Sequence, residues 1–324
     1  MGPVSVQSAS DEVATVGPRA GARSRLIAVF AALSLALAAC QTAPQQGGSL
    51  DRGAVPAVAA VETAPLPEMP GQVAELGLAP GGQATPRAYS AIVVDAASGA
   101  VLHEEAADGL RYPASLTKMM TLYLLFDALD SGRVSLDSAL QVSANAARQP
   151  PAKIGVKAGT PISVRQAVQA LAVKSANDVA VAVAENLAGS ESAFAAQMTA
   201  KARSLGMRRT RFVNASGLPD PRQVTTARDM AILARALKSR HAARARAFTA
   251  RSFTYNGRTF EATNNLLGRV AGVDGIKTGY IRLSGYNLAA SAGRGGKRVI
   301  AVVIGGESER ARDSEVTALL ERYL

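Results

Sequence analysis

Tryptophan is absent from this 324-residue chain, cysteine occurs once, histidine twice, and aromatic residues make up 4%. A lone cysteine, Cys40, excludes a disulfide framework. Even with His103 and His241 it is too small a set for an ordinary zinc site, so no metal is expected. His103 falls in an expected strand and His241 in an arginine-rich stretch, and both read as ordinary surface residues. A Ser-His-Asp arrangement is therefore disfavoured, and a hydroxyl nucleophile here would need another base. The few aromatics do not alternate with basic residues along any strand, which removes the stacking platform that nucleic acid needs. The net charge of +11 is read as a solvated basic surface suited to anionic surroundings, with no nucleic-acid partner. Apolar residues, at 48%, suffice for a substantial core.

One stretch organises the rest: Pro113-Ala-Ser-Leu-Thr-Lys-Met-Met120. Thr121 to Asp130 reads as a helix that is apolar nearly all round, hence central and buried. Ser115 and Lys118 stand three residues apart, on one helical face, where a hydroxyl and an amine can touch. Serine is a weak nucleophile until a base takes its proton. Lysine becomes that base when burial or a second cation lowers its pKa. The helix N-terminus beside Ser115 favours developing negative charge.

Around this helix the chain alternates strand and helix signals. Ser90–Asp95 and Ala100–Glu104 read as strands joined by the turn Ala96–Gly99. Val134 to Gly159 is rich in loop signals. Ser163-Val-Arg-Gln166 is a capping box opening a helix through Leu171. Val179–Leu187 is helical and stops at Gly189. Phe194, Met198, Ala202 and Leu205 fall at helical spacing, and Thr226-Ala-Arg-Asp229 caps a further helix to about Lys238. Tyr286–Ala292 and Lys297–Ile304 read as a β-hairpin, and Arg310–Leu324 as an amphipathic helix. Strands first and last with helices between predict an α+β domain over 88–324, with an antiparallel sheet built from both ends of the segment and flanked by helices.

Three polar clusters stand out of apolar surroundings: Ser115/Lys118, Ser175/Asn177 and Lys277-Thr278-Gly279. Ser-x-x-Lys, Ser-x-Asn and Lys-Thr-Gly in this order resemble the signature of penicillin-binding proteins and serine β-lactamases. With Asn214-Ala-Ser-Gly-Leu218 and Val273–Gly279, the segment from about Ala88 to Leu324 resembles the D-alanyl-D-alanine carboxypeptidase family of low-molecular-mass penicillin-binding proteins. The resemblance implies an antiparallel sheet of about five strands between helices, with the site at its edge. It implies that Ser115 attacks the peptide carbonyl between two D-alanines, that Lys118 takes its proton, and that Ser175 relays a proton to the departing D-alanine. Asn177 would orient the lysine and the substrate amide. Lys277 and Thr278 would hold the terminal carboxylate, and Gly279 would let the strand approach the substrate. The N–H groups of Ser115 and Tyr280 would form the oxyanion hole, and Arg312 would also contact the terminal carboxylate. The implied partners are a peptidoglycan stem peptide and, as covalent inhibitors, β-lactams; no cofactor is implied.

Two features set rival readings. Ile281 stands where many relatives carry a hydroxyl residue, which bears on substrate preference. The loop Arg211–Gly217 lacks the carboxylate by which a class A β-lactamase drives deacylation, so a β-lactamase is disfavoured. A D,D-endopeptidase acting on cross-linked peptidoglycan would use the same residues. A non-catalytic wall-binding lipoprotein has no physical need for a buried lysine beside a serine.

At the other end, Arg19, Arg23 and Arg25 precede Leu26–Ala39, fourteen uncharged residues. That run is short for a bilayer span and fits an export signal over 1–39. Its ending, Leu37-Ala-Ala-Cys40, resembles the lipobox of bacterial lipoproteins, in which the cysteine carries lipid. The polar leader is long enough to expect a start codon downstream of Met1. Residues 40–87, rich in Pro, Gly and Ala, read as a flexible tether. Leu324 lies 45 residues after Gly279, and the β-rich module of two-domain relatives is not expected here. The expectation is an exported, extracytoplasmic protein held to a membrane through Cys40.

Overall fold

A computed structural model describes residues 83–324 and, in isolation, Gly2. The expected export signal, Cys40 and nearly all of the expected tether lie outside the described residues. The strands are β1 (Ser90–Asp95), β2 (Val101–Glu105), β3 (Ala139–Leu140), β4 (Ile162–Ser163), β5 (Ser252–Tyr255), β6 (Arg258–Glu261), β7 (Val273–Ile281), β8 (Gly285–Arg294) and β9 (Lys297–Gly306). The helices are α1 (Lys118–Asp130), α2 (Ala144–Arg148), α3 (Val164–Gln169), α4 (Asn177–Ala188), α5 (Glu191–Ser204), α6 (Ala227–Arg240) and α7 (Glu309–Tyr323). A 3₁₀ turn, Ala114–Thr117, leads into α1, and a π-helical turn, Ala170–Lys174, follows α3.

Five strands form one antiparallel sheet in the order β2-β1-β9-β8-β7, as expected for strands drawn from both ends of the segment. Its central strands are apolar at successive positions because both faces are covered. Ile92, Val94, Ile300, Val302 and Ile304 face the larger core, shared with α1, α4 and α6. Ala91, Val93, Val299, Ala301 and Val303 face a second core, closed by Val316, Leu319 and Leu320 of α7. The two-residue side-chain period of a strand thus divides one apolar run between two layers.

Helix α1 is the buried axis. Met119, Met120, Leu122, Tyr123, Leu125 and Phe126 are all fully buried, as the apolar circumference predicts. The expected capping box forms: Ser163 Oγ accepts from the Gln166 N–H while Gln166 Oε1 accepts from the Ser163 N–H. Thr226 Oγ1 likewise accepts from the Asp229 N–H at the start of α6. The packed chain reaches slightly ahead of Ala88, since the Thr85 and Arg87 N–H groups donate to the Leu110 and Leu283 carbonyls.

His241 corrects the surface reading. It is 3% exposed, with Nδ1 2.8 Å from Asp130 Oδ2 and Nε2 3.2 Å from Asp127 Oδ1. Its ring meets Tyr123 edge-on at 4.7 Å. The neighbouring arginines mark an exposed stretch, but this residue turns inward at the end of α6 and fastens it to the end of α1.

Candidate active site

The 3₁₀ turn ahead of α1 is held from three sides. Asn287 of β8 donates through Nδ2 to the Tyr112 and Pro113 carbonyls, both at 3.1 Å, and its Oδ1 accepts from the Gly305 N–H. Gly217, at φ +83°, comes so close that a Cβ would stand 1.9 Å from the Ala114 carbonyl oxygen. Gly279 of β7 approaches from the sheet, where a Cβ would lie 3.0 Å from the Ser115 nitrogen and 3.2 Å from the Leu116 nitrogen. The glycine is needed for the close approach of strand to turn. Ala114 itself adopts φ +48°, a left-handed conformation unusual for alanine, one residue before the serine.

Lys118 is fully buried. Its Nζ lies 3.0 Å from Ser115 Oγ and donates to Asn177 Oδ1 at 2.7 Å and to the Ser216 carbonyl. Burial first, and the nearby positive charge of Lys277 second, hold its pKa well below the ordinary lysine range; Asp178 and Glu191 oppose this. Asn177 is itself fixed, with Nδ2 donating to the Pro150 carbonyl at 2.9 Å and its N–H donating to the Ala152 carbonyl at 2.7 Å. The next residue, Asp178, accepts from the Ile154, Gly155 and Val156 N–H groups and ties that loop to the start of α4. Glu191 accepts from the Ala215 N–H at 2.9 Å, next to the Ser216 carbonyl that Lys118 uses.

Ser175 follows the π-helical turn in a left-handed conformation, φ +63°. It lines the same cleft as Ser115 and, among the described residues, its hydroxyl has no hydrogen-bond partner. The Lys118 amine has Ser115, Asn177 and the Ser216 carbonyl as its hydrogen-bond partners. The cleft has a volume of about 820 Å³, and Thr278, Gly279, Tyr280 and Arg312 also line it. Thr278 Oγ1 donates to Thr263 Oγ1 at 2.7 Å. Arg312 is 3% exposed, donates through Nη1 to the Asn287 carbonyl and pairs with Asp313 at 2.7 Å. Lys277 is 1% exposed, and its Nζ donates to the Thr278 carbonyl at 2.9 Å. Burial and the charge of Arg312 push its pKa down to about 7. Tyr280 is the exposed member of the strand, its ring 4.4 Å from that of Tyr286.

Eight of the nine expected site residues in the described segment thus line one cleft or contact Ser115, and Lys277 lies buried beside Thr278. Sequence reasoning missed Thr263, the Ser216 carbonyl and the supporting roles of Glu191 and Asn287. No local signal marks Thr263, whose partner is fifteen residues away. The hairpin β5–β6 near it did carry one, Asn256-Gly257 between alternating Phe253, Tyr255 and Phe260.

A serine hydroxyl against a buried lysine, at the start of a buried helix beside the edge strand of an antiparallel sheet, defines the class: a helix-flanked sheet with a Ser-Lys pair at its edge. The family model described as "D-alanyl-D-alanine carboxypeptidase" matches residues 79–308, and the chain belongs to this family. It is 35% identical over 243 residues to D-alanyl-D-alanine carboxypeptidase DacF of Bacillus subtilis, covering 72% of this chain and 61% of that protein. To DacA of Escherichia coli K12 it is 36% identical, covering 72% and 60%. The chain thus spans about three-fifths of the length of these relatives. Among solved structures, DacD of Francisella tularensis superposes with a TM-score of 0.71 at 31% identity, covering 72% of this chain and 69% of that one. Penicillin-binding protein D2 of Listeria monocytogenes, in its ampicillin-bound form, gives 0.64 at 33% identity, covering 74% and 98%.

Proposed function

We propose that this protein is a serine-type D-Ala-D-Ala carboxypeptidase that releases the terminal D-alanine of peptidoglycan stem pentapeptides. The observation that carries the reading is the 3.0 Å contact between Ser115 Oγ and a fully buried Lys118 amine. A neutral amine has two hydrogens and one lone pair. Asn177 Oδ1 and the Ser216 carbonyl can only accept, so they take the hydrogens and leave the lone pair for the Ser115 hydroxyl proton. Ser115 Oγ bonds to the carbonyl carbon as its proton passes to Lys118. The oxyanion forms against the Ser115 and Tyr280 N–H groups, worth roughly 3–4 kcal/mol per donor. The C–N bond then breaks, and the proton passes from Lys118 to the leaving D-alanine nitrogen, with the unpaired Ser175 hydroxyl in the same cleft as the relay once bound substrate lies between them. Lys277, Thr278 and Arg312 bind the departing carboxylate. Water, deprotonated by the same lysine, cleaves the acyl-serine and frees the shortened peptide.

β-Lactams would acylate Ser115 and leave it slowly. The loop 211–217 presents no carboxylate of its own, and Glu191, which reaches that loop, does not line the cleft. The Leu37-Ala-Ala-Cys40 ending supports export and attachment through a lipid on Cys40, checked by metabolic acyl labelling that a Cys40→Ala variant should lose. No helix among the described residues is long and apolar enough to cross a membrane.

The deciding experiment is D-alanine release from a pentapeptide ending in D-Ala-D-Ala, followed by mass spectrometry. Release that falls by about 10⁴-fold or more in Ser115→Ala is expected. Penicillin labelling of Ser115 without release would point to the D,D-endopeptidase reading. The absence of both release and labelling would overturn the proposal.

A further inference from the structure

One wall of the cleft carries more positive charge than the reaction at Ser115 needs. Lys153, Lys174 and Arg258 all line it. They come from three segments of the chain: the loop after Pro151, the π-helical turn and β6. Lys153 follows Ala152, whose carbonyl accepts the Asn177 N–H. Lys174 ends the π-helical turn immediately before Ser175. Arg258 opens β6, with its guanidinium carbon held 4.8 Å from the centre of the Phe260 ring. The Thr263 N–H joins this wall to the π-helical turn by donating to the Val173 carbonyl at 3.1 Å.

Among the described residues, none of the three has a carboxylate within ion-pair distance. Other arginines do: Arg222 pairs with Asp220, Arg228 with Glu104 and Asp108, and Arg298 with Asp274. The cleft-lining carboxylate, Glu309, already lies 3.9 Å from Arg312. Three unneutralised cations in a concave site focus a positive potential along it and draw in an anionic group. The terminal carboxylate of the substrate is already provided for by Lys277, Thr278 and Arg312, so the group these cations await is a second anion on the same molecule.

We propose that Lys153, Lys174 and Arg258 form a second carboxylate subsite, by which the cleft prefers stem peptides with free acidic groups on the acyl side of the scissile bond over the same peptides amidated. The inference rests on the carboxypeptidase reading and deepens it by naming the substrate class. Stem peptides offer suitable groups on their γ-linked glutamate and their diamino acid, each either a free carboxylate or a neutral amide. Arg258 provides the planar fork for a carboxylate, and the two lysines add point charges. Because all three are at least partly open to water, each contact is modest, and the preference weakens as salt rises.

The test uses the full chain and two pentapeptides ending in D-Ala-D-Ala, one with free carboxylates at both upstream positions and one amidated at both. The ratio of their kcat/KM values is measured on a single preparation, so that any loss of folded enzyme cancels. A ratio of about ten is expected at low salt, shrinking toward one in 0.5 M salt on the order of the screening of exposed pairs. The ratio should also fall toward one in Lys153→Gln/Lys174→Gln/Arg258→Gln, and Arg258→Lys should retain an intermediate value. Equal turnover of both peptides by the unaltered protein overturns the subsite while leaving the carboxypeptidase reading intact. A ratio unchanged in the triple variant overturns the assignment to these residues. Release from neither peptide overturns the underlying reading, and this inference with it.

Discussion

At the scale of single residues, two buried lysines serve the site, and both have depressed pKa values: Lys118 through burial and the charge of Lys277, Lys277 through burial and the charge of Arg312. Lys118 must be neutral to accept the serine proton, and its amine is depressed by burial and by Lys277. In the proposed mechanism Lys277 is charged to attract the substrate carboxylate, and its pKa is depressed to about 7. The proposed mechanism therefore predicts a bell-shaped kcat/KM profile. The rising limb follows deprotonation of Lys118. The falling limb follows loss of charge from Lys277, near pH 7 in the free enzyme. In the kcat profile that limb should move up, because a bound carboxylate favours the charged lysine. Lys277→Arg, which stays charged throughout, is expected to remove the falling limb without restoring activity lost for other reasons. A kcat/KM profile of unchanged shape in this variant would assign the limb to another group.

At the scale of elements, α1, which carries Lys118 and follows the turn that carries Ser115, is anchored at both ends. At its beginning, Gly217 and Gly279 let a loop and a strand close on the 3₁₀ turn. At its end, His241 lies between Asp127 and Asp130 of α1 and packs on Tyr123 and Phe126. Replacing His241 with Ala empties a buried site and removes a hydrogen-bond partner from Asp130. A loss of about 2–4 kcal/mol in unfolding free energy is expected. Urea unfolding checks it, with the midpoint lowered and the slope unchanged. A shift below about 0.5 kcal/mol would return His241 to the surface role its neighbours suggest.

At the scale of the whole molecule, the site is held at a cost in stability. Lys277 ionises near pH 7 in the folded protein and near pH 10.4 in an unfolded chain, the ordinary lysine value. Between these values the unfolded state binds more protons, so this residue makes stability rise with pH across that window. Below about pH 7 both states are protonated, and the full penalty of a buried charge remains. Lys277→Met is expected to be more stable than the natural protein at pH 6, with the gap closing as pH approaches 10. Thermal unfolding of both proteins over this range measures it, and a gap independent of pH would contradict the assignment. Lys118, depressed in the same direction, contributes with the same sign.

The sequence by itself determined what depends on neighbours along the chain. Ser115 and Lys118 meet because a helical turn brings together residues three apart, and α1 is buried because no polar face interrupts it. The capping box at Ser163 and the terminal β8–β9 hairpin are local for the same reason. The order of the three polar clusters was also legible, and with it the family and the antiparallel sheet. Tertiary structure alone decided which distant groups complete the site. The Ser216 carbonyl lies 98 residues from Lys118, and Asn177 59 residues away. Thr263 reaches Thr278 across fifteen residues, and Asn177, at the start of α4, takes a lysine hydrogen through a contact no local pattern shows. His241 was misread because a run of arginines describes average exposure, whereas burial is set by where one side chain points once two helices have packed. Hydrophobic periodicity and capping act within a few residues, whereas hydrogen bonds between distant segments depend on where the packed elements place them.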